Sequence, residues 1–192
     1  MRIKNLVVIS NGLIHYLNFN NETINKTANS ILRINQLFKF NDSVTLELMK
    51  EPFASLRDYP QVEAAALDHT IYLFLDRICT ENIDELIAHE YVHVCIASTF
   101  LQPCPVWLNE GLAMYISGQY KRMTALKPKN VDCLYQMTQK FPNFYNFAIF
   151  VVEKLIDTVP LSEVIYCGQK CTSFADDSLF GINNIRSLTN YR

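Results

Sequence analysis

The sequence predicts an α+β fold, in which a small twisted, mostly antiparallel N-terminal sheet with one helix is followed by a helical C-terminal lobe. Two observations carry this expectation: short alternating or dense apolar runs mark the first half, and helical spacing of apolar residues marks the second. The 192 residues contain no repeat or low-complexity linker, and such a length suits one domain. We therefore expect a single domain with a sheet lobe over about 1–78 and a helical lobe over about 79–192.

The first predicted element is a β-hairpin. Residues 7–10 and 13–19 flank Asn11-Gly12, the dipeptide that best tolerates the positive φ angles of a two-residue turn. The N-terminus starts like a signal peptide, but Ser10 ends the apolar run before it reaches the length of an apolar signal region. The segment is therefore interpreted as a strand.

One helix and two further strands complete the predicted sheet lobe. Over residues 22–40, apolar positions keep near-helical spacing with polar residues between them, and Asn35 falls on the same stripe. Residues 44–48 alternate as a half-buried strand does. Residues 71–75 form a denser apolar run, which is typical of a more buried strand.

Composition excludes several classes of protein. Charged residues make up 19% of the chain and the formal net charge is −2, so neither disorder nor a nucleic-acid partner is expected. No stretch approaches the roughly 18 uninterrupted apolar residues that span a membrane.

The six cysteines would suit disulfides in a secreted chain. Without an export signal we expect reduced thiols and a soluble, cytoplasmic protein. The spacing of Cys167 and Cys171 matches neither zinc ribbons nor thioredoxin motifs.

The strongest pattern is the pentapeptide His-Glu-Tyr-Val-His at residues 89–93. It lies in a helix predicted over 81–98, with Thr80 as a plausible N-cap. At 100° per residue, His89 and His93 lie about 40° apart on one face and one turn apart, so both imidazoles can bind one metal ion. Glu90 lies about 100° from His89, where its carboxylate can flank the ion as a general base.

A third metal ligand is required, because catalytic zinc sites normally supply three protein ligands and leave the fourth position for water. None of the four histidines follows the motif, so the third ligand is of another type. Glu110 is the candidate, within a second helix predicted over 105–115 that prolines introduce and that closes near Gly118. Alternatives stay open at this point: the two histidines and Glu90 could be solvated surface residues, and Glu110 could point to water.

The motif followed by Trp-Leu-Asn-Glu-Gly-Leu-Ala at 107–113 resembles the gluzincin zinc metallopeptidases, especially the compact peptidase MA-like families related to thermolysin and the zinc aminopeptidases. Residues 143–155 resemble the helix that follows there. The resemblance covers about residues 12–160 and is strong at 86–113. It implies a zincin-like fold with the active-site helix between the lobes and a Zn²⁺ cofactor. By position it implies the zinc ligands His89, His93 and Glu110, the base Glu90, and Tyr145, which can steady the oxyanion.

The chain also departs from these families. No Gly-x-Met-x-Asn exopeptidase signature precedes the motif, which favours an endopeptidase. The thermolysin pattern places an aspartate four residues after the ligand glutamate, where this chain has Met114, so the group that orients a zinc histidine is unidentified. No histidine follows Glu110, and the oxyanion role falls to a tyrosine such as Tyr145. The alternative for Tyr145 is a core aromatic.

These features predict zinc-dependent hydrolysis of peptide bonds in a peptide or protein substrate, with Glu90 transferring the proton from water to the leaving amine. Residues 63–66 are a candidate rim on which a substrate adds as a strand; the plain alternative is a connecting strand or turn. Two other functions stay open. One is a catalytically silent zinc-binding or protein-interaction module, and the other is a regulatory metalloprotease dedicated to one cytoplasmic partner. The sequence predicts no oligomeric state.

Overall fold

The computed structural model describes residues 2–9, 20–59, 61–78, 82–128, 131, 134 and 142–189. These residues form an α+β structure with five strands and six α-helices. The strands are β1 (Arg2–Ile3), β2 (Leu6–Ile9), β3 (Val44–Met49), β4 (Ala64–Leu67) and β5 (Thr70–Phe74). The helices are α1 (Asn21–Phe38), α2 (Ile83–Thr99), α3 (Val106–Ser117), α4 (Phe144–Thr158), α5 (Leu161–Lys170) and α6 (Ile182–Thr189).

The chain divides into two compact units, Met1–Cys95 and Ile96–Arg192, and the boundary falls within α2. The first unit contains the sheet, α1 and most of α2, and the second contains α3 to α6. The expectation of one domain with a lobe boundary near residue 78 stays a prediction.

The sheet is mixed, and the expectation of a mostly antiparallel sheet is wrong. Its strand order is β1-β2-β3-β5-β4. The two central pairs, β2 with β3 and β3 with β5, run parallel, whereas the edge pairs run antiparallel. The physical reason is the connection between β2 and β3. It contains α1, and a long helical crossover is what joins neighbouring parallel strands, whereas a two-residue turn joins antiparallel ones.

Helix α1 is bounded by clear local signals. The Asn20 side chain accepts a hydrogen bond from the Thr23 amide at 2.9 Å and caps the first turn. At the other end Lys39 adopts a left-handed conformation with φ 53°, and its amide bonds the Asn35 carbonyl oxygen. The predicted helix over 22–40 is therefore confirmed to within two residues.

The central strands supply the core of the first unit. Alternate residues of β3 are buried, as the sequence pattern predicts, and β5 buries Ile71, Leu73 and Phe74 completely. Strand β4 lies at the edge of the sheet, and a two-residue turn containing Asp68 at φ 52° joins it to β5. The segment 63–66 is thus largely an edge strand, and a role in substrate binding stays a prediction.

Three sequence predictions fall outside the described residues. The turn at Asn11-Gly12 and the second hairpin strand over 13–19 are two of them, and the N-cap Thr80 is the third. Of the predicted hairpin, only the first strand is described, and it is β2. A two-residue strand, β1, pairs with β2 across the turn at Lys4, whose φ is 53°.

In the second unit, α3 and α4 pack closely against each other. Helix α3 ends at Ser117, next to Gly118 as the sequence predicts, and Gly118 adopts the left-handed conformation of a helix cap with φ 94°. A Cβ atom on Gly111 would lie 2.6 Å from Val152 Cγ2 and 2.8 Å from the Ala148 carbonyl oxygen of α4. Glycine at this position therefore permits the close approach of the two helices. Among the described residues, no helix is long and apolar enough to cross a membrane.

Candidate metal centre

Helix α2 carries the candidate centre and is buried around most of its circumference. Two acidic residues, Asp84 and Glu85, occupy its first turn, where they complement the partial positive charge of a helix N-terminus. The buried residues of α2 include Ile83, Leu86, Ile87, Ala88, Tyr91, Val92, Val94, Cys95 and Ile96. Such a helix is packed against the core on most of its faces, and its face with His89 and His93 is partly exposed.

The two histidines of α2 lie side by side. His89 Nε2 and His93 Nε2 are 3.0 Å apart. The ring centroids are 4.7 Å apart and the ring planes cross at 83°. The prediction that one helical turn brings both imidazoles to one place is therefore confirmed.

This separation agrees with two nitrogen ligands on one zinc ion. Two nitrogens at about 2.05 Å from a shared ion, with a tetrahedral angle between them, are about 3.3 Å apart. The observed 3.0 Å corresponds to an angle of about 94° at the same bond length. A direct N–H···N hydrogen bond between the two rings would have the same length. The geometry thus fits metal binding without requiring it.

Glu90 completes the cluster. Its carboxylate belongs with His89 and His93 to a group whose potential ligand atoms all lie within 4.8 Å of one another. Glu90 is 7% exposed, so the alternative of a solvated surface glutamate is wrong. Charged groups in apolar surroundings need hydrogen-bond donors or positive charge nearby. A divalent cation beside the two imidazoles would supply such a charge.

Glu110 lies in the first half of α3 and is 5% exposed. The alternative of a glutamate pointing to water is therefore wrong for this residue too. Its helix neighbours Trp107 and Leu108 are completely buried, so the carboxylate belongs to the interior side of α3. Glu110 is part of the second unit, and its role as third ligand stays a prediction.

Tyr145 is the second residue of α4 and is 36% exposed. Its ring meets that of Phe144 edge to face at a centroid distance of 5.5 Å. The alternative of a core aromatic is wrong, because Phe144 and not Tyr145 is buried. The oxyanion role of Tyr145 stays a prediction. Met114, at the position of the thermolysin aspartate, is a core side chain with 2% exposure.

The structure shows one hydrogen-bonded pair, Tyr91 and Asn35, that the sequence analysis did not identify. The Tyr91 hydroxyl donates a hydrogen bond to Asn35 Oδ1 at 2.9 Å and so joins α2 to α1. One signal was present in the sequence, because Asn35 stands in the apolar stripe of α1. A polar residue in such a stripe needs a partner inside the protein.

The cysteines form no candidate centre of their own in the described chain. None of Cys95, Cys104, Cys167 and Cys171 is in a disulfide. Burial raises the pKa of the Cys104 thiol well above its usual range, and the nearby thiol of Cys171 contributes. A thiol with a raised pKa is a poor nucleophile and a poor metal ligand at neutral pH.

Comparison with other proteins provides no relative. No protein-family model, no curated protein and no solved structure matches the chain. The function of this protein is therefore inferred from its own residues.

Proposed function

We propose that this protein is a zinc metallopeptidase of the gluzincin type, with a zincin-like fold, that hydrolyses peptide bonds as an endopeptidase. One observation carries the proposal: two imidazole nitrogens 3.0 Å apart on consecutive turns of a buried helix, grouped with a buried carboxylate. His89 and His93 would hold Zn²⁺, and Glu110 is the proposed third ligand. A single open position would then remain for water or substrate.

When bound, zinc lowers the pKa of water toward neutrality and polarises the scissile carbonyl. Glu90 is the proposed general base, and it accepts the proton of the attacking water and donates it to the leaving amine. Its burial supports this role, because a carboxyl group shielded from bulk water keeps an acquired proton for the second step. Tyr145, which is 36% exposed, is proposed to donate a hydrogen bond to the oxyanion.

The first test is the zinc content of the full chain, purified without chelators or a histidine tag. We expect about one zinc per chain in the wild type, as three protein ligands make a complete catalytic site. His89→Ala and Glu110→Ala should each lose the metal. Glu163→Ala is the matched control, because Glu163 is exposed on α5, and it should keep the wild-type zinc content. A wild type without zinc after supplementation would contradict the proposal.

The second test separates metal binding from catalysis. Glu90→Gln removes the base but keeps the size of the side chain, so zinc should be retained. Hydrolysis of a peptide library should fall by about 10²–10⁴-fold, which is the usual contribution of a general base. Full activity of Glu90→Gln would exclude this mechanism. Zinc binding by a wild type that cleaves no peptide would favour a silent binding module, and cleavage of one protein only would favour a dedicated regulator.

A further inference from the structure

Tyr91 lies on the side of α2 that faces away from the candidate metal ligands. At 100° per residue, Tyr91 is about 180° from the direction midway between His89 and His93. Its side chain is completely buried. The helix therefore presents metal ligands on one face and an anchored aromatic on the opposite face.

Two groups from the C-terminal end of α1 hold Tyr91. Asn35 Oδ1 accepts the hydrogen bond of the Tyr91 hydroxyl at 2.9 Å. The Phe40 ring meets the Tyr91 ring edge to face, at a centroid distance of 6.1 Å and an interplanar angle of 80°. The Phe40 amide in turn bonds the Asn35 carbonyl oxygen at 3.1 Å. The hydroxyl and the ring of Tyr91 therefore contact Asn35 and Phe40, two residues that a backbone hydrogen bond joins.

We propose that Tyr91 is a positioning residue, and that its bond to Asn35 fixes the rotation of α2 about its axis and thereby the direction of both imidazoles. This inference rests on the proposed function, since a rotation of α2 moves His89 and His93 together and changes their direction relative to the proposed third ligand, Glu110. A hydrogen bond is suited to this task because it is directional and adds to the packing of α2, whereas the hydrophobic effect itself has no preferred direction.

A small rotation of α2 has a large effect at the ligand atoms. An imidazole nitrogen lies roughly 6–7 Å from the helix axis, since the Cα radius is about 2.3 Å. A rotation of about 10° then displaces both imidazole nitrogens together by about 1 Å relative to a ligand on another element, whereas metal-ligand distances tolerate only about 0.2 Å. Groups that orient metal ligands contribute about 10–100-fold to metal affinity. We expect a loss near the lower end, because Phe40 still contacts the ring.

The test uses the full chain with Tyr91→Phe, which removes only the hydroxyl. The dissociation constant for Zn²⁺ is measured by chelator competition, the visible spectrum is recorded with Co²⁺ in place of zinc, and the Tm is measured without metal. We expect a roughly 10-fold weaker affinity and an altered Co²⁺ spectrum at a temperature where the apo-protein is fully folded. Asn35→Leu removes the acceptor from the other side and should have the same effect.

Two further variants separate positioning from stability. Thr189→Val removes another buried hydroxyl, which donates to the Ile185 carbonyl oxygen at 2.8 Å in the second unit. It should lower the Tm with no change in zinc affinity. Asn35→Asp keeps an oxygen acceptor at the same position and should retain the wild-type affinity. The double variant of Tyr91→Phe with Asn35→Leu should bind zinc no more weakly than either single variant, because both remove the same bond.

The outcomes distinguish this inference from the proposed function. If the wild type binds zinc and Tyr91→Phe and Asn35→Leu bind it with unchanged affinity while their Tm falls, the bond is merely structural and the inference is wrong. If Tyr91→Phe does not fold, Asn35→Leu alone decides between these results. If the wild type binds no zinc, the proposed function fails and this inference falls with it.

Discussion

Substitution of Gly111 by alanine tests whether close packing or helix propensity determines the effect of this residue on stability, at the place where α3 packs against α4. Helix propensity alone predicts that the free energy of unfolding rises by about 1 kcal/mol, because alanine is the better helix former. The structure predicts the opposite sign. The new Cβ would lie 2.6 Å from Val152 Cγ2 and 2.8 Å from the Ala148 carbonyl oxygen.

The size of the destabilisation follows from the contact with the Ala148 carbonyl oxygen. The Val152 methyl group can move by a small rotation, but the Ala148 oxygen belongs to the backbone of α4 and moves only with the helix. Restoring an ordinary contact requires a shift of roughly 0.5 Å, and overpacking of this kind costs about 1–3 kcal/mol. For a chain of this size each kcal/mol corresponds to about 2–4 °C. We therefore expect the Tm of Gly111→Ala to fall by about 2–12 °C.

Thermal unfolding followed by circular dichroism measures this effect. The double variant with Val152→Ala tests the cause, because it removes one of the two contacts. Its loss should be smaller than the sum of the two single losses. A Tm at or above the wild-type value for Gly111→Ala would refute the reasoning and would mean that α3 and α4 separate without cost.

Three further outcomes are expected. Thr27→Val should raise the Tm, because the buried Thr27 hydroxyl bonds no group in the described part of the chain. A buried polar group without a hydrogen bond lowers the stability of a protein by about 1–3 kcal/mol. An unchanged or lower Tm of the variant would count against this prediction. Arg77→Lys should make the loop before residue 60 more susceptible to limited proteolysis. The Arg77 guanidinium donates hydrogen bonds to the carbonyl oxygens of Leu56, Tyr59 and Arg57 at 2.9, 2.7 and 3.2 Å, and the ammonium of lysine lacks the planar fork that makes all three. Cleavage of the variant at the wild-type rate would contradict this prediction. Burial raises the pKa of Cys104, so above the unfolded thiol pKa of about 8.5 only the unfolded chain releases this proton. The free energy of unfolding should therefore fall by up to about 1.4 kcal/mol per pH unit, and denaturant titrations should show a flatter pH dependence for Cys104→Ala.

The sequence predicts those elements whose signals are local. The periodicity of α1, the alternation in β3 and the end of α3 near Gly118 each depend on neighbouring residues, and each prediction agrees with the structure to within about two residues. The direction of the strands is not local, because it depends on where the chain returns after α1. The short strands β1 and β4 are also difficult, since two to four residues give little periodicity.

The same distinction applies to the candidate site. Helix geometry alone brings His89 and His93 together, and the structure agrees. The burial of Glu90 and Glu110 depends on which elements cover them, and the pattern of the sequence leaves this open. The bond between Tyr91 and Asn35 joins residues 56 positions apart, so no window of the sequence contains both partners.

The burial of α2 around most of its circumference also bears on how the first unit opens. Amides in a helix exposed on one face exchange with solvent through fraying and local opening, whereas amides in an enclosed helix exchange only when a larger cooperative segment unfolds. The turn between His89 and His93 lies in the middle of such a helix, between the buried residues Ile87 and Cys95. The two imidazoles are therefore kept together over the lifetime of the folded unit, and their proximity is lost by cooperative unfolding instead of gradual loosening.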